Sequence, residues 1–420
     1  MIVNLIEKVY SFLWGDLVQI PLPGGSTLGI SLLIILLIPT GIYFTIRTRF
    51  LPIRLFPDMV QALVEKKQDK NSLSSFQTLI VSTATRVGMG NLVGVVAAIS
   101  AGGAGAIFWM WVTAIIGSST AFIEATLAQL YKEKDPLYGG YRGGPAYYIH
   151  SYVEEKQKKK RNKVVISVLF AISGLICWCG ISQVISNSVV SSFKNAFSIP
   201  PIYTTVVLVA VAAVIVLRKD ATVKILDMVV PVMAVCYFAI TILIIVMNIG
   251  SLPGVFARIF EEAFGFRQAA AGGFGAVLMN GIKRGLFSNE AGMGSSPISH
   301  ACVSHANAIE QGFWGIFEVF FDTIVVCTIT GLMILTSGLL DSGMEGVALT
   351  VACFTSGFGH LGGIIFSFSI VAFAIPSILG WYYYARECLR YLFKGKLMLY
   401  IYQGVFLVLL VFGAQLQLTF

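Results

Sequence analysis

The chain has 420 residues, 56% hydrophobic and only 12% charged, with a mean hydropathy of +0.82. That balance excludes an ordinary soluble domain, which could not hide so much apolar surface in one core. The net charge of +8 does not point to nucleic acid, because most basic residues are gathered in a few short loops.

Residues 1–27 form a surface segment. Ile2, Leu5, Ile6, Val9, Phe12 and Leu13 recur at helical spacing and predict a short helix lying on the membrane. Pro21-Leu22-Pro23-Gly24-Gly25 predicts the turn after it. Neither a basic leader nor a small-residue cleavage site marks a secretory signal. A bilayer-spanning helix needs roughly 20 mostly apolar residues. Ten stretches qualify, near 28–46, 75–101, 105–131, 164–192, 202–217, 225–248, 269–303, 312–339, 361–385 and 397–415. The predicted class is an all-α polytopic membrane protein.

Six basic residues lie in 47–72, nine in 132–163, three in 218–224 and four in 386–396, which is 22 of the 29. These are alternate loops, so the positive-inside rule makes them cytoplasmic and puts the N-terminus outside the cell membrane. The run Lys158-Lys159-Lys160-Arg161 is read as a topology determinant.

A duplication runs through the chain. Gly88-Met89-Gly90 recurs as Gly292-Met293-Gly294, 204 residues on. Phe108-Trp109 recurs as Phe313-Trp314, and Trp178 as Trp381. Glycine pairs inside membrane helices free backbone groups, and matched breaks in two halves point to a transporter's binding site. The organisation is then an extra span with its loop (28–74), a first five-span unit (75–248) and a second unit (249–420). An odd number of spans inverts the second unit relative to the first. Carried forward, the offset places a fifth span of the second unit near 429–452, past Phe420, so that unit is expected to lack its final span.

The seven cysteines lie in or beside apolar stretches and are read as free, apolar packers. His150, His300, His305 and His360 fall near span ends and are read as polar loop residues. No nucleophile–base pair, metal-ligand spacing or nucleotide loop suggests an enzyme.

Four motifs are long and specific: Gly102 to Gly117 (GGAGAIFWMWVTAIIG), Arg86 to Asn91 (RVGMGN), Arg142 to Ile149 (RGGPAYYI) and Arg284 to Gly292 (RGLFSNEAG). They resemble the alanine/glycine–cation symporters, also called sodium:alanine symporters, over about residue 28 to the C-terminus. The resemblance implies a LeuT-type inverted-repeat fold and uptake of small amino acids such as alanine or glycine with sodium or protons. It also implies a substrate site of Gly88, Met89, Gly90, Asn91, Gln183, Asn280, the Phe287–Gly292 stretch (Phe287, Ser288, Asn289, Glu290, Gly292) and Trp381. For sodium it implies carbonyls of Ala84 and Val87 with the Ser377 hydroxyl. Met89 replaces a threonine common in the family, and Pro376 stands where a second hydroxyl is expected. Both departures put sodium and substrate choice in question.

From the residues alone, a broken helix offers N–H groups to a carboxylate and carbonyls to an amine or cation. The breaks are predicted around Thr85 to Asn91 and Phe287 to Gly294. Gln183 is a polar amide in an apolar helix that needs either ligand or neighbouring helix, and Trp381 is either an interfacial anchor or a pocket wall. Arg86, Glu124, Lys283, Arg284, Glu290, Glu318 and Asp322 are ionisable groups inside spans. Arg86 and Glu290 flank the two breaks and are expected to approach each other. Glu124 and Asp322 are pathway or proton-relay candidates against structural pairing. The leading reading is a cation-coupled importer; alternatives are a proton-coupled or altered-substrate carrier and a transport-inactive relative.

Overall fold

The computed structural model describes residues 8, 11–12, 15–21, 27–64, 88, 90–134, 141–217, 221–266, 273–303, 307–344, 346–393 and 395–415. It is almost wholly helical. Each of the ten predicted apolar stretches overlaps at least one helix among the described residues, though 75–101 is described only in part and 269–303 holds two helices. A short antiparallel hairpin, β1 (Asp16–Pro21) with β2 (Thr27–Ser31), precedes the first of them. The predicted Pro-Gly-Gly turn lies between its strands, outside the described residues, as does most of the predicted N-terminal helix.

In chain order the helices are α1 (Leu32–Arg47), α2 (Phe56–Val64), α3 (Val95–Gly102), α4 (Ala106–Leu130), α5 (Pro145–Gln157), α6 (Val165–Phe197), α7 (Pro201–Leu217) and α8 (Ala221–Met247). Then come α9 (Leu252–Ala263), α10 (Phe274–Asn289), α11 (Ser296–Cys302), α12 (Ala308–Val319), α13 (Cys327–Ser337), α14 (Gly346–Phe358), α15 (His360–Leu392) and α16 (Lys396–Gln415). A strand pair, β3 (Glu133–Lys134) and β4 (Tyr141–Arg142), follows α4.

Among the described residues, five helices are long and apolar enough to cross a membrane. A sixth candidate is the pair Ala234–Met247 and Ile249–Ala263, bent by 72°. The helices Leu32–Arg47, Gly90–Gly102, Pro201–Val214 and Gly346–Phe358 are apolar but shorter. The last of these was not anticipated.

The 33-residue helices α6 and α15 pack along one another through aromatic and small side chains. Trp178 and Trp381, the pair matched by the duplication, both meet the buried ring of Tyr384, at 5.8 and 5.6 Å. Ser192 and Ser367 hydroxyls bond across the same interface at 3.0 Å. Apolar residues such as Val165, Ile176, Val235 and Leu397 are largely exposed, as expected of surface facing lipid rather than water.

The glycines of the 102–117 motif allow close approach where Cβ atoms would not fit. A Cβ on Gly105 would lie 2.4 Å from the Ala263 backbone nitrogen, and one on Gly117 would lie 2.9 Å from the Ala291 Cβ. Glu262 on α9 then caps α4: its carboxylate accepts the Ala104 and Gly105 N–H groups at 2.6 and 3.4 Å and pairs with Arg258 at 2.7 Å.

Candidate substrate and ion site

The stretch 269–303 is one apolar run in sequence but two helices in the structure. α10 stops at Asn289, α11 starts at Ser296 with Pro297 near its N-terminus, and the chain between them turns through Glu290 (φ 53°), Gly292 (φ 86°) and Gly294 (φ 79°). A non-glycine residue at positive φ is uncommon and marks local constraint. Each freed backbone donor that is buried here needs a partner. Asn289 Oδ1 accepts from Ala291 N at 3.0 Å. Glu124 on α4 reaches across and accepts from Gly292 N at 2.8 Å and Gly294 N at 3.1 Å, one with each oxygen. Ser295 Oγ donates to Glu290 Oε2 at 2.5 Å.

Glu124 thus clasps the break through both oxygens. It sits on the α4 face carrying Thr113, Gly117 and Thr120, which all lie against α10 or the break. That face repeats at helical spacing. Two of the N–H groups freed at this break are therefore held by the protein's own carboxylate.

Most of the first predicted break, around Thr85 to Asn91, lies outside the described residues; from Gly90 the chain runs as a π-helical turn, Gly90–Gly94, with Asn91 N donating to Gly88 O at 3.2 Å. Ala84, Arg86, Val87 and Met89 lie outside the described residues, so two of the three expected sodium ligands and the Arg86–Glu290 approach do too. What is described joins the Gly90–Gly94 turn to the end of α10. A Cβ on Gly90 would touch Phe287 Cε1 at 3.7 Å. Asn91 Nδ2 donates to Asp322 Oδ1 at 2.6 Å. Ser288 and Thr323 hydroxyls donate to Asp322 Oδ2 at 2.8 and 3.0 Å. Asp322 itself lies in a second π-helical turn, Phe320–Val326. Asn91, Ser288, Asp322 and Thr323 are all buried.

π turns occur often at functional sites because they redirect a side chain without ending the helix. Neither was predicted; the signal within reach was an intramembrane aspartate in an otherwise apolar run. Two polar atoms in this region have no hydrogen-bond partner among the described residues: Asn91 Oδ1, an acceptor, and Asn289 Nδ2, a donor. Their bonds to Asp322 and Ala291 fix which end of each amide is left over.

Other predicted site residues lie elsewhere. Asn280 uses its amide on Ala276 O and Ala101 O, at 3.0 and 3.3 Å, and is about 14 Å along α10 from Asn289 by helical rise. Gln183 meets the neighbouring helix: a Cβ on Gly413 of α16 would lie 2.5 Å from its Cα. Trp381 is buried against Tyr384, not at an interface. Ser377 is buried and donates to Phe373 O at 2.8 Å. Lys283 is partly exposed and pairs with Asp16 of β1 at 3.3 Å.

His300, expected in a loop, is fully buried. Its Nε2 lies 3.2 Å from Glu318 Oε2 and its Nδ1 2.6 Å from Gln311 Nε2. Gln129 donates to the His300 and Val303 carbonyls, and Lys132 to Gln129 Oε1 and Val303 O at 2.6 and 2.8 Å. The hydrogen bonds of this cluster reach up to 174 residues along the sequence, so no local pattern exposes it.

A polytopic helical bundle with a membrane helix broken beside a buried carboxylate has the architecture of a membrane transporter. The fold is shared with the crystal structure of a mutant manganese transporter of Eremococcus coleocola, at a TM-score of 0.55 and 9% identity over 83% of this chain and 72% of that one. Residues 23–420 match the sodium:alanine symporter family, and the chain belongs to it. A probable sodium/glutamine symporter, GlnT, of Bacillus subtilis is 41% identical over 93% of this chain and 81% of its own length. The sodium/alanine symporter AgcS of Methanococcus maripaludis is 35% identical over 99% and 89%, and the amino-acid carrier protein AlsT of Bacillus subtilis 38% over 90% and 80%. Members are amino-acid transporters, not enzymes.

Proposed function

We propose that the chain imports a small neutral amino acid with sodium, binding it where the two broken spans meet. The observation carrying this reading is the complementary pair of unpartnered amide atoms at the breaks. A zwitterion brings a carboxylate and an ammonium, and each must replace its lost hydration. Asn289 Nδ2 offers a donor to the carboxylate. Asn91 Oδ1, beside the Asp322 carboxylate, offers acceptors to positive charge. Leaving each amide atom unpaired costs about 1–3 kcal/mol, which a ligand recovers on binding.

The oxygens of Asp322, Asn91, Ser288 and Thr323 also suit sodium, a hard cation. Ser377 is the second candidate, with the carbonyls of Ala84 and Val87; its proton is directed at Phe373 O, so its lone pairs remain available. The arrangement supports a LeuT-type inverted repeat, with units 75–248 and 249–420 after an extra span at 28–74, and an outside N-terminus. Relatives named for alanine and for glutamine make alanine, glycine and glutamine the substrates to test. The buried His300–Glu318 pair, 3.2 Å apart, favours proton coupling as the second reading. Radiolabelled uptake into proteoliposomes under a sodium gradient, then under a pH gradient alone, decides between them. Sodium-independent uptake of all three substrates overturns sodium coupling, and no uptake under either gradient overturns the transport reading.

A further inference from the structure

A cavity of about 440 Å³ opens between β3–β4, α5, the loop before α6 and the end of α15. Its volume is within the roughly 300–1,000 Å³ of small-molecule sites. It is separate from the Asp322 cluster, and the transport reading does not use it. Its wall carries charge of both signs: the guanidiniums of Arg142 and Arg390, the carboxylates of Glu133 and Glu154, with Tyr147 and His150 between them.

The groups are held in place. Arg142 lies over the Tyr147 ring, 5.3 Å from its centroid, and pairs with Glu133 at 3.1 Å. Arg390 is buried and pairs with Glu387 at 2.8 Å. His150 contacts Tyr391 Oη at 2.7 Å and Glu154 at 3.2 Å. The Glu154 carboxylate accepts the Arg161 N–H at 2.6 Å, which holds it below the ordinary carboxylate range. Burial keeps the Tyr147 phenol protonated far above neutral pH. Two donors lack a partner among the described residues: the Tyr147 hydroxyl, on a residue only 4% exposed, and Arg142 Nε.

Two unpartnered donors beside guanidiniums call for an anionic oxygen pair. The two carboxylates on the same wall would repel a polyanion such as a phosphorylated headgroup, and they suit an ammonium instead. A single small ligand meets both demands, the zwitterion of a free amino acid. We propose that this cavity is a second amino-acid site, filled from the cytoplasm by the imported product, that slows further import. The ligand identity rests on the transport reading above. A carboxylate shared between Arg142, next to α5, and Arg390, on α15, would tie the loop to the end of α15 and restrain their relative movement.

The test uses the purified full chain with whichever radiolabelled amino acid it takes up. Equilibrium binding in nanodiscs is expected to give two sites per wild-type chain and one in both Arg142→Gln and Glu154→Gln; Glu154 is exposed enough for its variant to fold. Uptake by proteoliposomes preloaded with millimolar unlabelled amino acid is expected to be several-fold slower than by empty ones for the wild type, with that ratio lost in both variants. A single wild-type site at millimolar ligand, or two sites and unchanged slowing in both variants, overturns the proposal. Absent uptake into empty wild-type vesicles is a different outcome: it removes the transport reading and the ligand assignment with it.

Discussion

Glu124 is the most exacting test of how the break is held. Its two oxygens accept the Gly292 and Gly294 N–H groups at 2.8 and 3.1 Å, and both glycines sit at positive φ. Hydrogen bonds to a charged group contribute about 1.5–3 kcal/mol each. Glu124→Gln keeps one acceptor oxygen and turns an NH2 toward the other N–H. One bond is lost and a donor faces a donor, so the broken conformation should lose about 2–4 kcal/mol. Glu124→Ala strands both donors and should cost about 3–6 kcal/mol. Glu124→Asp keeps the charge but is one methylene shorter, so it should fall between wild type and Gln. The assay is apparent Tm in detergent together with initial uptake rate. The order wild type, Asp, Gln, Ala is expected in both, with uptake falling at least tenfold in Ala. Wild-type Tm and uptake in both Gln and Ala would refute the claim that this carboxylate holds the break. A fall in uptake at unchanged Tm in Gln would instead restore the proton-relay role.

Asp322→Asn removes the buried charge while keeping the shape; sodium-dependent uptake should drop more than tenfold and need far more sodium for half-saturation, as read from initial rates across a sodium titration. Asn289→Ala removes the donor offered to the substrate carboxylate and should weaken substrate binding by about 1–3 kcal/mol, seen as a raised concentration for half-maximal uptake. Gly294→Ala combines φ 79° with a Cβ 2.7–2.8 Å from Phe170 and Pro145, so it should cost about 1–3 kcal/mol and lower the apparent Tm.

Element existence was legible because membrane helices announce themselves by length and apolarity alone. The second break was legible too, since Gly292 and Gly294 are the residues that tolerate its positive φ. What holds that break was not. Glu124 lies 168 residues from the groups it caps, and an intramembrane glutamate reads equally as a relay or a clasp until its partners are placed. The π turns at Gly90–Gly94 and Phe320–Val326 leave no periodic trace, because one extra residue in a turn shifts the apolar pattern too little. The β1–β2 hairpin had a signal, with Val18 and Ile20 before and Leu28 and Ile30 after a Pro-Gly-Gly turn, but the helical spacing just upstream obscures it. His300 was misplaced because a histidine near a span end carries no sign of the Glu318 opposite it.

The two π turns meet where the Asn91 amide donates to Asp322, and that contact permits a stringent test of the site. Asn91 and Asp322 together hold one amide, one carboxylate and a single negative charge. Exchanging them, as Asn91→Asp with Asp322→Asn, preserves the charge, the donor–acceptor pair and the oxygen count while moving the charge from one turn to the other. If positive charge binds between the two turns, each single variant should be severely impaired and the double variant should recover part of the sodium-dependent uptake. Contacting residues in one network show coupling of about 0.5–3 kcal/mol, so the recovery should exceed the multiplied single effects by at least a few-fold. If Asp322 serves only to fasten its own turn through Ser288 and Thr323, the amide oxygen left by Asp322→Asn still accepts from both hydroxyls, so that single variant should keep most of the uptake and the exchange should add nothing to it. The comparison separates a charge that the transported species meets from one that only holds helices in place.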